Sequence, residues 1–229
     1  MFDITRSRAV LWDLDDTLYS RVNAARQTFY GMFRENFYPD KSEEWIAQAV
    51  AFMMSQARRN DMIRNEAFLA LLEKYPACRP YIRSQCLDYY YEHISDFAEP
   101  FPEQMEVIKK LRQAGVKTAL VTNVSSERID SQKKKIAVLG IESLFDCIVL
   151  SGELGIQKPD RRIFDHTAKL LGVTNEECVF VGDDPDSDIS GALNAGMEAV
   201  WLDREEYHGT FAGEPHVYRV RSVKEYFIL

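Results

Sequence analysis

The sequence predicts an α/β fold: a parallel sheet sandwiched between helices in three layers, with a block of helices inserted after the first strand. Three observations carry this. Short continuous apolar runs at 9–12, 117–122, 147–151, 178–181 and 199–202 have the length and composition of strands buried on both faces. From Phe101 onward these runs alternate with segments whose apolar residues recur at helical spacing. Between about Arg21 and Phe97 no strand-like run occurs.

The elements follow in order. Ala9, Val10, Leu11 and Trp12 form the first strand. In the insert, Phe29, Phe33 and Phe37, then Ala67, Leu71 and Tyr75, keep helical spacing, and Pro39, Pro76, Pro80 and Pro100 divide it into roughly four helices. Val107, Leu111 and Ala114 line a helix ending at Gly115. Lys117 to Thr122 is the second strand, and a helix from about Ser126 to Leu139 stops at Gly140. Cys147 to Ser151 is the third strand, and Ile163, Thr167, Leu170 and Leu171 mark a helix stopped at Gly172. Cys178 to Val181 and Ala199 to Leu202 are strands joined by a short helix through Ile189, Ala192 and Leu193. The tail 217–229 reads as an edge strand and a closing helix, and Lys133 to Lys135 as a solvated helix face. The expected division is a discontinuous core, 1–19 with 98–229, and a helical unit, 20–97.

Composition narrows the function classes. A chain of 229 residues, 46% hydrophobic, can bury a large core. A net charge of −8 argues against bulk binding to nucleic acid or anionic membrane. The four cysteines, Cys78, Cys86, Cys147 and Cys178, show no zinc spacing and suit a reducing compartment. The N-terminal M-F-D-I-T-R-S-R lacks a signal peptide's apolar stretch, so the expected location is the cytoplasm.

Chemistry concentrates where strands end. L-W-D-L-D-D-T-L-Y places Asp13 and Asp15 just past the first strand, two apart and so on one side of an extended segment. At ~4 Å two such charges repel by about 4 kcal/mol at an effective dielectric of about 20, which a divalent cation or a proton relieves. Alone, this is equally an acidic turn with Asp15 or Asp16 capping a helix. Three further segments shift the balance: Thr122-Asn123 closing the second strand, Lys158 ahead of Pro159 in G-I-Q-K-P-D, and G-D-D-P-D-S-D after the fourth run, with Asp183, Asp184, Asp186 and Asp188. Together they supply a nucleophile, an acid, a hydroxyl, a cation and a metal ligand.

In these motifs the sequence resembles the haloacid dehalogenase-like (HAD) phosphohydrolase superfamily. D-x-D-x-T matches Asp13, Asp15 and Thr17; the strand-closing hydroxyl matches Thr122; the lysine before proline matches Lys158; and G-D-x-x-x-x-D matches Gly182, Asp183 and Asp188. The helical insert after the first motif resembles the cap of the C1-capped group. The resemblance implies a Rossmann-like core with strand order five-four-one-two-three and Mg²⁺-dependent hydrolysis of a phosphomonoester through an aspartyl-phosphate. It makes Asp13 the nucleophile and Asp15 the acid and base. Mg²⁺ is expected on Asp13, Asp183 and the backbone carbonyl of Asp15. Thr122, Asn123 and Lys158 would bind the phosphate, with Thr122 and Lys158 also assisting its transfer, and Asp188 would orient Lys158 or the metal's waters.

Asp15 favours a phosphatase over a 2-haloacid dehalogenase, because an alkoxide leaving group needs a proton and a halide does not. A phosphomutase, and a non-catalytic binding protein on the same fold, remain open alternatives. The segment from Phe145 to Phe164 resembles nucleoside monophosphatases, making a nucleotide or small sugar phosphate the expected partner. A monomer or homodimer is expected, and the helical insert is expected to choose the substrate while its aromatics form its own core and interface.

Overall fold

The computed structural model describes residues 7–56, 70, 73–74, 83–203, 211 and 214–228. The chain divides into two compact units, Met1–Ser20 with Glu99–Leu229, and Arg21–Ala98.

The first unit is built on a six-stranded parallel sheet: β1 Ala9–Trp12, β2 Lys117–Thr122, β3 Cys147–Leu150, β4 Cys178–Gly182, β5 Glu198–Leu202 and β6 Val217–Val220, in the order β3-β2-β1-β4-β5-β6. This is the expected order with the tail strand added beside β5. β1 lies between β2 and β4, pairing Trp12 with Leu120 on one side and with Val181 on the other. A strand hydrogen-bonded on both sides and covered on both faces must be apolar throughout, as Ala9, Val10, Leu11 and Trp12 are, all fully buried.

Alternate residues serve the two faces. Leu11, Ala119, Val121, Phe180 and Trp201 pack with Ile163, Phe164, Leu171 and Ala192 from the helices Arg161–Leu171 and Ser190–Ala195. Phe164 meets Phe180 edge-on at 5.2 Å. On the other face Trp12 stacks on Phe227 at 5.8 Å, so the tail covers the centre of the sheet. The helix Pro102–Gln113 buries Val107, Ile108 and Leu111, and the helix Ile129–Leu139 buries Ile136 and Leu139.

The expected helix stops Gly115, Gly140 and Gly172 all have left-handed φ, which a Cβ would strain. Ser151 begins the short helix Ser151–Leu154 instead of ending β3, and the expected closing helix of the tail is a single 3₁₀ turn, Val223–Glu225. That turn is held by its own capping box, with Ser222 and Glu225 bonding each other's backbone.

The second unit is helical among its described residues: Arg21–Gly31, Glu43–Gln56 and Arg83–His93, with a π-helical turn Met32–Phe37 and a 3₁₀ turn Ile94–Phe97. Phe29 and Phe33 are fully buried, Phe29 stacks on Tyr90 at 5.3 Å, and Trp45 meets Tyr38 edge-on at 5.1 Å. Among the described residues Phe29, Phe33, Tyr38 and Tyr90 are buried and build the unit's own core, while Tyr30 is exposed. Ala67, Leu71, Tyr75, Pro76, Cys78 and Pro80 lie outside the described residues.

Candidate active site

β1 fixes the position from which the site is built. Asp13 is the first residue past its end, held there by its backbone N–H on the Val181 carbonyl at 2.9 Å. The chain then turns through Asp16, whose φ of 61° is left-handed, and comes back as Leu18 N–H bonds the Leu14 carbonyl at 2.9 Å. Aspartate is among the few residues that tolerate this conformation. Thr17, fully buried, donates from its hydroxyl to Asp183 at 3.4 Å, joining the turn to the end of β4.

Lys158 sits at the centre. Its side chain is 1% exposed, and its ammonium lies 2.6 Å from Asp13 Oδ1 and 2.7 Å from Asp188 Oδ1. Its backbone is clamped by Asn123, whose amide nitrogen donates to the Lys158 carbonyl at 3.0 Å while its oxygen accepts from the Lys158 N–H at 2.9 Å. Asp188 reaches Lys158 because Gly182 has no side chain: a Cβ there would stand 2.6 Å from the Asp188 Cβ. Asp184 caps the π-helical turn Pro185–Ile189, accepting from the N–H groups of Asp186 and Ser187 at 2.9 Å each. Asp184 and Asp186 are thus turn residues.

The charges perturb one another. Burial raises the Asp13 carboxyl to about 7; Lys158 opposes the shift, and the neighbouring Asp188 and Asp15 add to it. Burial likewise raises Asp188 against the pull of Lys158. Burial alone would lower the Lys158 ammonium, but Asp13 and Asp188 outweigh it and hold the group above its ordinary value. Two buried carboxylates thus share one cation.

Carboxylate oxygens of Asp13, Asp183 and Asp188 lie within 4.8 Å of one another. An all-oxygen, anionic set of this kind suits a hard divalent cation such as Mg²⁺.

The sequence profile of haloacid dehalogenase-like hydrolases matches residues 7–196, taking in every one of these residues. The chain belongs to the haloacid dehalogenase-like hydrolases. It is therefore a hydrolytic enzyme, with its D-x-D-x-T, Thr122, Lys158 and G-D-x-x-x-x-D motifs brought to one end of the sheet. Among relatives of this hydrolase, the glyceraldehyde 3-phosphate phosphatase of Methanopyrus kandleri is 31% identical over 204 residues, covering 87% of this chain and 85% of its own. The phosphoserine phosphatase of Thermus thermophilus is 31% identical over 216 residues, covering 88% and 84%. The magnesium-bound HAD-hydrolase YfnB from Bacillus subtilis superposes with a TM-score of 0.79 at 22% identity, covering 97% and 98%, and shares the fold.

One part of the hydrolase site departs from the sequence reading. Lys135 is not part of a solvated helix face: its side chain is 7% exposed and its ammonium lies 2.8 Å from Asp15 Oδ1. Lys133, by contrast, is exposed and pairs with Glu153. Gln132, also buried, donates to Asp15 Oδ2 at 3.2 Å and to the Thr122 hydroxyl at 2.8 Å, while its oxygen accepts from Lys135 at 2.9 Å. Tyr19, fully buried, donates its hydroxyl to Asp15 Oδ1. Helix phase was the signal: 132, 135, 136 and 139 fall on one face, and Ile136 and Leu139 already marked that face as buried. Reading K-K-K as a block hid the phase.

Proposed function

We propose that this hydrolase is a phosphoric monoester hydrolase that acts on a small phosphorylated metabolite by way of an aspartyl-phosphate on Asp13. The observation that carries the reading is the pair of carboxylates past β1, one sharing the buried Lys158 with Asp188 and the other held beside Thr122. Phosphatases of small esters among the relatives, glyceraldehyde 3-phosphate and phosphoserine, support the substrate class.

In this reading a carboxylate oxygen of Asp13 attacks phosphorus and the bond to the leaving oxygen breaks. Asp15, entering the step as the carboxylic acid, gives its proton to the departing alkoxide and is left as the carboxylate that Lys135 faces; it then takes a proton from the water that attacks the acyl phosphate, releasing inorganic phosphate and free Asp13. Lys158 sits against Asp13, where it offsets the charge of an arriving phosphate. The Thr122 hydroxyl accepts from Gln132, so its own proton is available to a phosphoryl oxygen. Because the Asn123 side chain is engaged by the Lys158 main chain, any contact of Asn123 with substrate falls to its backbone amide. Mg²⁺, held by Asp13, Asp183 and the backbone carbonyl of Asp15, would neutralise charge on the transferring group when bound.

The presence of Asp15 favours this over dehalogenation, which has no alkoxide to protonate. The reading includes the helical unit as the cap of this core, with a nucleotide or sugar phosphate as substrate. Among the described residues no helix is long and apolar enough to cross a membrane. The buried thiols Cys86 and Cys178 suit a reducing cytoplasm; burial also raises the Cys178 thiol to about 12, which leaves it inert. The test is hydrolysis of an activated aryl phosphate and of a panel of phosphorylated metabolites, with Mg²⁺ and with EDTA. Metal-dependent turnover is expected, and full activity in metal-free protein would refute the proposed site.

A further inference from the structure

We propose that Lys135, acting with Gln132 and Tyr19, is a positioning residue that fixes the Asp15 carboxylate for proton transfer. The inference rests on the reading of Asp15 as the acid and base of the reaction. An aspartate on a loop past a strand has free rotation about two bonds, and a proton donor misplaced by ~1 Å costs ~100-fold in rate. Here both oxygens are held. Oδ1 accepts from the Lys135 ammonium at 2.8 Å and from the Tyr19 hydroxyl, and Oδ2 accepts from the Gln132 amide at 3.2 Å.

The holders are themselves fixed. Tyr19 is fully buried, and its backbone bridges both Asp15 and Pro100. Lys135 lies 5.4 Å from the centre of the Tyr19 ring, which adds a cation–π attraction to the ion pair. Gln132 receives Lys135 on its oxygen at 2.9 Å and divides its amide protons between Asp15 and the Thr122 hydroxyl at 2.8 Å. One side chain thus spaces the proton carrier from the hydroxyl at the end of β2. Burying an ammonium costs desolvation that surface lysines avoid, and the Asp15 carboxylate at 2.8 Å offsets it here on helix Ile129–Leu139. Neighbouring Lys133, by contrast, is exposed and pairs with Glu153 at 2.6 Å.

The experiment compares the single-turnover phosphoryl-transfer step for an alkyl phosphate and an activated aryl phosphate in Lys135→Met, Lys135→Arg, Tyr19→Phe and Asp15→Asn. Lys135→Met should slow transfer from the alkyl ester at least ~10-fold and from the aryl ester less than about threefold, the usual acid–base factor of ~100- to 10,000-fold falling to about a tenth or less as position is lost. KM for both should stay within about threefold, Lys135→Arg should recover most of the rate, and Lys135→Met should add little on top of Asp15→Asn. Tyr19→Phe, which removes one oxygen and no packing, should show the same leaving-group selectivity more mildly, and it carries the comparison if Lys135→Met does not fold. Equal losses on the two esters, or a rise in KM alone, would overturn the positioning role while leaving Asp15 as the acid. Loss of selectivity in Asp15→Asn itself would overturn the acid–base reading, and the positioning role with it.

Discussion

Asp13→Asn tests how burial treats the residue on which the chemistry depends. In metal-free protein the Asp13 carboxyl is raised from 3.8 to about 7, first by burial and then by Asp188 and Asp15. Between those two values the folded chain keeps a proton that the unfolded chain has lost. Stability from this group is therefore complete below pH 4 and is lost as pH rises through 7, at roughly 1.4 kcal/mol per pH unit and about 4 kcal/mol in all. Asp13, Lys158 and Asp188 titrate as a unit, and removing Asp13 leaves one carboxylate with one ammonium, which suppresses the titration. Urea unfolding in EDTA at pH 5 and pH 8 measures the effect. Asp13→Asn should gain on wild type by about 3 kcal/mol between the two, and excess Mg²⁺ at pH 8 should stabilise wild type far more than the variant. A difference that moves by less than about 0.5 kcal/mol would refute the claim that burial confines a charge at this position.

Three other outcomes follow from the geometry. Gly182→Ala forces a Cβ to within 2.6 Å of the Asp188 Cβ, so it should destabilise by about 1–3 kcal/mol and lower kcat, measured by thermal melting and steady-state kinetics. Asp188→Asn removes one of two partners of Lys158 and should weaken Mg²⁺ activation or turnover by about 10- to 100-fold, read from a metal titration of activity. Phe180→Ala, in the sheet core against Phe164, should cost about 3–5 kcal/mol in urea unfolding while leaving the leaving-group dependence of the surviving activity unchanged.

Much of this was legible because central parallel strands have few ways to be written. Leu11-Trp12 before Asp13, and Phe180-Val181 before Gly182, announce both a strand buried on two faces and its end, and polar residues at such ends have a role to explain. The short-range features were equally open: Gly140 and Gly172 stop helices, and Asp184 caps a turn, through chemistry within a few residues. Contacts across long sequence distances were not. Lys135 meets Asp15 120 residues away, and nothing local separates it from Lys133 and Lys134 except helix phase. Asn123 looked like a phosphate ligand beside Thr122, yet its side chain reaches the backbone of Lys158, a pairing that depends on where β3 leads the chain. The tail misled for a different reason: Ser222 and Glu225 cap a single turn after β6, and Phe227 stacks on Trp12 of the sheet instead of continuing a helix.

The central claim, that Asp13 carries the phosphoryl group, is tested most directly by quenching the enzyme in acid during turnover and mapping the phosphorylated peptide. The account predicts an acid-stable, base-labile phosphoryl group on Asp13 that is present with Mg²⁺, absent with EDTA and absent in Asp13→Asn. A phosphoryl group on another residue, or Asp13→Asn turning over within tenfold of wild type, would contradict it.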